Sequence, residues 1–366
     1  MLVLFVALLT AGLLNLCYYF GFFKFALNSF QEPGKDSTKP VSVIICAKNE
    51  AENLRKFVPS ILNQNYHNFE LILINDASSD DTLEVIEEFQ ELDPRVKIVN
   101  VQNNEAFWAN KKYALTLGIK KAVNPYLLFT DADCEPQSPD WITQTTAHFK
   151  EPKTIILGYG GYFINKKSLL NKLIRFETLL TAIQYFSYAQ WGMPYMGVGR
   201  NLAYTSTEFY RQNGFASHLH IRSGDDDLFV NEAATPENTA ISVHPSSFTR
   251  SIPKNSFKKW FIQKRRHVSI AGNYKLQHRF MLGVFYVSQL LFWILFIAAL
   301  FTEYRNFALI VLAVRLLVQG TVYYNAAKKL QETDVVWLFP FLELFLICAQ
   351  FGIFISNLIS KPAHWK

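Results

Sequence analysis

The sequence predicts an α/β domain built on a mostly parallel sheet, carried by one N-terminal and about three C-terminal membrane-spanning helices. Three observations lead there. Short β-branched runs alternate with helical patterns from Pro40 to Val243. Polar clusters follow several of those runs. Long apolar segments sit at both ends of the chain, and they account for the hydrophobic share of 50%, high for a soluble enzyme.

The first segment, Leu2 to Leu27, is apolar and interrupted by Asn15 and Lys24. No Lys or Arg precedes it and no small-residue cleavage site follows. It reads as a retained transmembrane helix and not a removed signal peptide. Val41–Cys46 is a short run rich in β-branched residues, as in a strand buried on both faces. Ala51–Leu62 reads as a helix, Glu70–Asn75 as a strand and Thr82–Leu92 as a helix. Val96–Val101 is a third strand, Asn110–Ala122 a helix and Tyr126–Thr130 a fourth strand. Strands separated by helices imply a mostly parallel sheet covered on both faces. Ligands of such sheets bind beyond the carboxyl ends of the strands. Lys48-Asn49-Glu50, Asn75-Asp76 and Asp131-Ala132-Asp133 all fall at those ends.

Three further spans are expected at about Met281–Phe301, Asn306–Asn325 and Val335–Ile359, the last kinked at Pro340. Each has the roughly 20 apolar residues that a bilayer requires. The positive-inside rule orients them. Lys24, Lys35, Lys39 and the basic run before Met281 place the middle domain in the cytoplasm, as Lys328 and Lys329 do for the last loop. The chain is then a multi-pass protein of the cell membrane. Its divisions are residues 1–28 (first span), 29–250 (α/β domain), 251–280 (basic interfacial segment) and 281–366 (remaining spans). Arg315 and Glu343 fall near mid-span, where a lone charge costs a few kcal/mol, so the two are expected to pair between helices.

The net charge is +6, concentrated in Lys254, Lys258, Lys259, Lys264, Arg265, Arg266, Lys275 and Arg279. A basic run beside apolar helices points to anionic headgroups or a phosphorylated ligand. No nucleic-acid motif accompanies it, so no nucleic-acid partner is implied. Cys17, Cys46, Cys134 and Cys348 form neither a disulfide framework nor a metal-ligand spacing, in keeping with a reduced compartment.

Asp131 and Asp133 follow an apolar strand with one residue between them. Such a pair is suited to a hard divalent cation that bridges to a nucleotide diphosphate. PVSVIICAKNEAENL, LILINDASSDDT and KKYALTLGIKKAVNPYLLFTDADCEP together resemble the nucleotide-sugar half of the family-2 glycosyltransferases, which have the GT-A fold. GVGRNLAY, SGDDDLF and QKRRH resemble the acceptor half of membrane-bound members such as ceramide glucosyltransferases and processive polysaccharide synthases. The resemblance spans about Val41 to His267.

By position it implies that Asn49, Glu50 and Asp76 contact the nucleoside and that Lys111 lies near the nucleotide. Asp131 falls near the ribose and metal, and Asp133 holds Mg²⁺ or Mn²⁺ with the diphosphate. An inverting transfer needs one base for the acceptor hydroxyl. The family has Glu-Asp where this chain has Asp225-Asp226-Asp227, so the register stays open between Asp225 and Asp226, with Asp227 third. Gln263 and Arg266 match the family's Gln-x-x-Arg-Trp, with His267 in place of Trp, and imply diphosphate binding by a guanidinium. Gly199-Arg200-Asn201 matches a stretch that faces the acceptor. Phe257, Trp260 and Phe261 share one helical face suited to a membrane interface. His218 and His220 read as a polar loop before the acidic cluster.

The function implied is inverting transfer of a sugar from a nucleotide-sugar, with uridine as the default nucleoside, to a lipid acceptor. A polysaccharide synthase completed by a partner subunit is the alternative. A catalytically inactive nucleotide-sugar-binding scaffold is a third. The joint presence of metal-site, base and leaving-group residues weighs against the scaffold.

Overall fold

The computed structural model describes residues 1–29, 38–102, 111–221 and 223–360. Lys35 and Asn110, used in the readings above, lie outside them. The chain separates into two compact units. One comprises Met1–Ser29, Asn165–Gln190 and Asn255–Ala363. Of the described residues, the other comprises those within 38–164 and 191–254.

After helix α1 (Leu2–Leu27) the chain enters the α/β unit. Strand β1 (Val41–Ala47), α2 (Ala51–Leu62), β2 (Phe69–Asp76), α3 (Thr82–Leu92), β3 (Val96–Val101), α4 (Lys111–Lys121) and β4 (Tyr126–Phe129) follow in strict alternation. Short elements come next: β5 (Cys134–Pro136), α5 (Trp141–Thr146), β6 (Ile155–Gly158) and β7 (Gly160–Tyr162). The chain then leaves as α6 (Leu169–Gln190), a helix of the other unit. It returns as β8 (Leu202–Thr205), α7 (Ser206–Arg211), α8 (Asp227–Ala233), β9 (Thr239–Ser242) and β10 (Thr249–Ser251). Helices α9 (Phe257–Ala271), α10 (Leu276–Ala299), α11 (Arg305–Leu330) and α12 (Phe339–Ile359) complete the helical unit.

The main sheet has the order β3-β2-β1-β4-β8-β6-β9. Strands β3, β2, β1 and β4 run parallel. Strand β8 is antiparallel to both β4 and β6, which makes the sheet mixed on that side. β1 and β2 carry the continuous apolar runs because they lie inside the sheet, covered on both faces. Helix α2 presents Leu54, Phe57, Val58 and Ile61 at helical spacing, and all four are buried. Trp141 and Ile142 on α5 join the same core as Val43, Leu71 and Leu73. A small sheet, β5-β10-β7, flanks the loop that carries Asp131 and Asp133.

In the helical unit, four helices are long and apolar enough to cross a membrane: Leu2–Leu27, Leu276–Ala299, Arg305–Leu330 and Thr333–Ile359. The expected interhelical pair is present. Arg315 donates from Nη1 to Glu343 Oε2 at 3.0 Å and from Nη2 to Oε1 at 2.8 Å. Arg315 Nε donates to Asn15 Oδ1 at 2.8 Å, and Gln319 Nε2 donates to Glu343 Oε1 at 2.5 Å. Asn15, which interrupts the first apolar segment, is therefore a member of this buried polar set. Truncating one partner strands a buried charge. Arg315→Ala or Glu343→Ala alone is expected to lower stability by about 3–5 kcal/mol. Arg315→Glu with Glu343→Arg should recover most of the loss in thermal melts of detergent-solubilised protein. A swap no better than the worse single variant would contradict the pairing.

Pro340 does not kink the last span. It lies in the first turn of α12, where its missing N–H is harmless, and Thr333–Leu338 form a 3₁₀ turn before it. Trp260 also departs from the expected interfacial face. It is 1% exposed, and its indole N–H donates to Glu177 on α6 at 3.1 Å. Two of the basic side chains on α9 are likewise engaged: Lys264 pairs with Glu177 at 2.6 Å and Arg265 donates to Asn357 at 3.0 Å.

Candidate active site

The site is assembled at the carboxyl edge of the parallel strands in the α/β unit. Asn49 follows β1 with φ of 55°, a left-handed conformation that Asn tolerates better than most residues. Its carboxamide oxygen accepts from the Ser79 N–H at 2.8 Å, and its own N–H donates to Ser78 Oγ at 3.0 Å. The Glu50 N–H donates to Thr82 Oγ1 at 2.9 Å, and its carboxylate accepts from Asn53. The loops after β1 and β2 are thus laced together. Asp76 closes β2 and is 3% exposed. Burial raises its carboxyl above the usual range, and the charges of Lys48 and Lys111 work against that rise.

Lys111, the first residue of α4, joins two acidic groups that are far apart in sequence. Its ammonium lies 2.9 Å from Asp131 Oδ1 and 3.0 Å from Asp225 Oδ2. Burial alone would push this lysine down, but Asp131 and Asp225 hold it well above the ordinary value, so it stays charged. Neighbouring Lys112 is fully buried and donates to the carbonyls of His218 (2.7 Å) and Ile221 (3.0 Å), in the segment that leads to the acidic cluster. Burial lowers its pKa to about 8.

Asp226 precedes α8 and is fixed by backbone donors. Its Oδ2 accepts from the Gly199 N–H at 2.7 Å and its Oδ1 from the Asp227 N–H at 2.8 Å. Burial raises its pKa and the neighbouring Asp225 adds to the rise, against the pull of Lys111 and the two amides. Asp227 accepts from the Leu228 N–H at 2.8 Å and is buried. Cys46, Phe129, Leu202 and Tyr204 line the pocket shared by Lys111, Asp131, Asp225 and Asp226.

Ligand atoms of Asp131, Asp133 and Cys134 lie within 4.8 Å of one another. Two carboxylates fit a hard cation such as Mg²⁺ or Mn²⁺. The thiol does not, because burial holds Cys134 protonated well above the usual thiol range. Burial and Asp131 raise Asp133, while the Ser251 hydroxyl, Arg200 and Lys254 favour its charged form. All four cysteines are free, as expected.

The structure therefore brings Lys111, Asp131, Asp225 and Asp226 to one pocket, with Asp133 two residues from Asp131. Gln263 and Arg266 lie on α9 in the helical unit. Lys112, Thr130, Thr249 and Ser251 carry no sequence signal of a role, since their contacts are made by folding. Thr130 and Thr249 each donate a hydroxyl to the Arg200 carbonyl, at 3.0 and 2.8 Å.

Comparison with known proteins gives a consistent picture. Residues 42–215 match the model of Glycosyl transferase family 2. An uncharacterized glycosyltransferase of Haemophilus influenzae is 36% identical over 122 residues, 33% of this chain and 36% of that protein. The poly-beta-1,6-N-acetyl-D-glucosamine synthase of Staphylococcus aureus is 28% identical over 165 residues, 44% of this chain and 38% of that protein. A UDP-Glc:alpha-D-GlcNAc-diphosphoundecaprenol beta-1,3-glucosyltransferase of Escherichia coli is 30% identical over 129 residues, 34% of this chain and 47% of that protein. The matches thus span less than half the length of these relatives. Among solved structures, a mannosyltransferase from Pyrobaculum calidifontis in complex with GDP-Man and Mn²⁺ shares the fold. Its TM-score is 0.60 at 17% identity, over 90% of this chain and 97% of that one.

Proposed function

We propose that the chain, whose residues 42–215 match glycosyl transferase family 2, is an inverting enzyme that moves a sugar from a nucleoside-diphosphate sugar to the hydroxyl of a membrane-associated lipid acceptor. The observation that carries this reading is the Asp131–Lys111–Asp225 bridge beside Asp226. It joins Asp131 and Asp225 at one pocket, which supports a reading that needs one carboxylate near the diphosphate and one near the base.

Asp226 is the base in this reading. Asp225 is engaged by the Lys111 ammonium, whereas Asp226 is held by two amides and has a raised pKa. The Asp226 carboxylate takes the proton of the acceptor hydroxyl as that oxygen bonds to the anomeric carbon. The bond from that carbon to the diphosphate oxygen breaks, and the nucleoside diphosphate leaves. Asp131 and Asp133 would hold Mg²⁺ or Mn²⁺, which would supply positive charge against the diphosphate. Asn49, Glu50 and Asp76 serve the nucleoside, and Gln263 and Arg266 the diphosphate. Residues 29–250 act as the catalytic domain on the cytoplasmic side of a multi-pass membrane protein, with 251–280 at the interface. A UDP-sugar is the first choice of donor, as in the name of the Escherichia coli relative. The name of the Staphylococcus aureus relative favours a second reading, synthesis of a polysaccharide.

The test is transfer of label from a panel of UDP- and GDP-sugars by the full chain in nanodiscs with Mn²⁺ and a lipid extract. Label entering the organic phase supports the lipid acceptor. Label in a high-mass aqueous product supports the polysaccharide reading. Absence of transfer from every donor, with Mn²⁺-dependent nucleotide binding intact, would leave a scaffold.

A further inference from the structure

Arg200 is partly buried at the entry to β8, and its surroundings are unusual for a guanidinium. Its backbone is rigid. The Arg200 carbonyl accepts the hydroxyls of Thr130 and Thr249. On either side, the Gly199 N–H is bound by Asp226 and the Asn201 side chain is bound to Trp141, Tyr159 and Ser247. Its stem runs against Gly160, where a Cβ would come within 2.9 Å of the Arg200 Cβ. The guanidinium carbon lies 4.2 Å from the centre of the Tyr162 ring. Nη1 donates to the Gly161 carbonyl at 3.2 Å.

Among the described residues this is the one hydrogen bond that the guanidinium donates, and no carboxylate lies within 4.0 Å of it. A guanidinium has five N–H donors. A desolvated charge is ordinarily paired or spent on a ligand. Here the cation feels the fields of Asp131 and Asp133 without pairing directly with either. The Tyr162 ring restrains the guanidinium carbon, and a planar, bidentate anion is the ligand that suits the remaining N–H donors.

We propose that Arg200 is a phosphoryl-recognition residue of this enzyme, which receives a phosphate group beside Asp131 and Asp133. The inference rests on the transferase reading of that site. The group has two sources with the same chemistry: the diphosphate of the donor, or a phosphate carried by a lipid acceptor. In the second case Arg200 sets acceptor specificity toward phosphorylated lipids.

The experiment compares the full-length protein with Arg200→Gln and Arg200→Lys in detergent. Binding of UDP and of GDP with Mn²⁺ is measured, and separately binding of farnesyl phosphate and of farnesol. Loss of a charge-assisted pair is expected to weaken a phosphate-bearing probe by about ten- to a hundredfold. Arg200→Lys should keep part of the affinity, and farnesol should be unaffected. Weakening confined to the nucleotides assigns the donor diphosphate; weakening confined to farnesyl phosphate assigns the acceptor. Unchanged affinity for every phosphate probe, in Arg200→Gln protein that melts like the parent, overturns the proposal. So does an equal loss of farnesol binding. Asp133→Asn is the control for the underlying reading: if it leaves Mn²⁺-dependent nucleotide binding intact, that reading fails whatever Arg200 does.

Discussion

Asp226→Asn is expected to lower the rate of sugar transfer by about 10²–10⁴-fold, the usual contribution of a positioned general base, while nucleotide binding with Mn²⁺ changes little. Asparagine keeps the shape of the side chain and can still accept one of the two backbone bonds, from Gly199 or Asp227. What it loses is a lone pair with a proton affinity suited to an alcohol. The wild-type pH profile follows from the same environment. Burial, with Asp225 adding to it, raises the Asp226 pKa. With Asp226 as the proposed base, activity is expected to need the deprotonated carboxylate, so it is present above that pKa and lost as pH falls through it. The acid limb of kcat/KM should therefore lie above the ordinary carboxylate range. Asp225→Asn removes a neighbouring negative charge and should move that limb to lower pH. An acid limb that stays in place in Asp225→Asn, or an Asp226→Asn variant with wild-type turnover, would reassign the base.

The second large effect is expected at Asp133→Asn. One of the two carboxylates that suit a hard cation is removed, and the fold around it is left in place by the flanking sheet β5-β10-β7. Mn²⁺-dependent affinity for UDP or GDP should fall by more than about a hundredfold, a loss that even outer-shell changes at metal sites approach. Calorimetry with and without Mn²⁺ reads this directly and needs no acceptor. The pattern complements Asp226→Asn, which should lose turnover and keep binding. If Asp133→Asn bound the nucleotide in the presence of Mn²⁺ as the parent does, the pair Asp131 and Asp133 would not be the cation site.

Much of the first half of the α/β unit was legible because its signals are local. β1 is rich in β-branched residues and β2 is mostly apolar, and α2 and α3 carry apolar residues at helical spacing, so their limits match the readings to within a residue or two. The short strands β5 to β10 were not. Gly160–Tyr162 and Thr249–Ser251 have three residues each and no apolar run, and they become strands by pairing with each other. Helix α6 was also missed. Its residues are apolar, aromatic and charged in mixture, and 14 of its 22 are buried in a helical unit whose other members lie far away in sequence. The acidic clusters were readable as chemistry, since each sits just past a strand or before a helix. Their joining by Lys111 was not, because Asp131 and Asp225 meet only once β4 and β8 are neighbours. Trp260 shows the same limit. Helical spacing put it on one face with Phe257 and Phe261, but the partner of that face, Glu177, was invisible.

In the proposed mechanism the Asp226 carboxylate takes the acceptor proton in a single displacement that breaks the bond to the nucleoside diphosphate. The anomeric configuration of the product tests it most directly. With the donor sugar that the panel identifies and the full chain in nanodiscs, proton NMR of the purified product should show the configuration opposite to that of the donor, and Asp226→Asn should yield no such product above background. Retention of the donor's configuration would contradict the account, because attack by the acceptor oxygen on the face opposite the leaving diphosphate inverts the anomeric carbon.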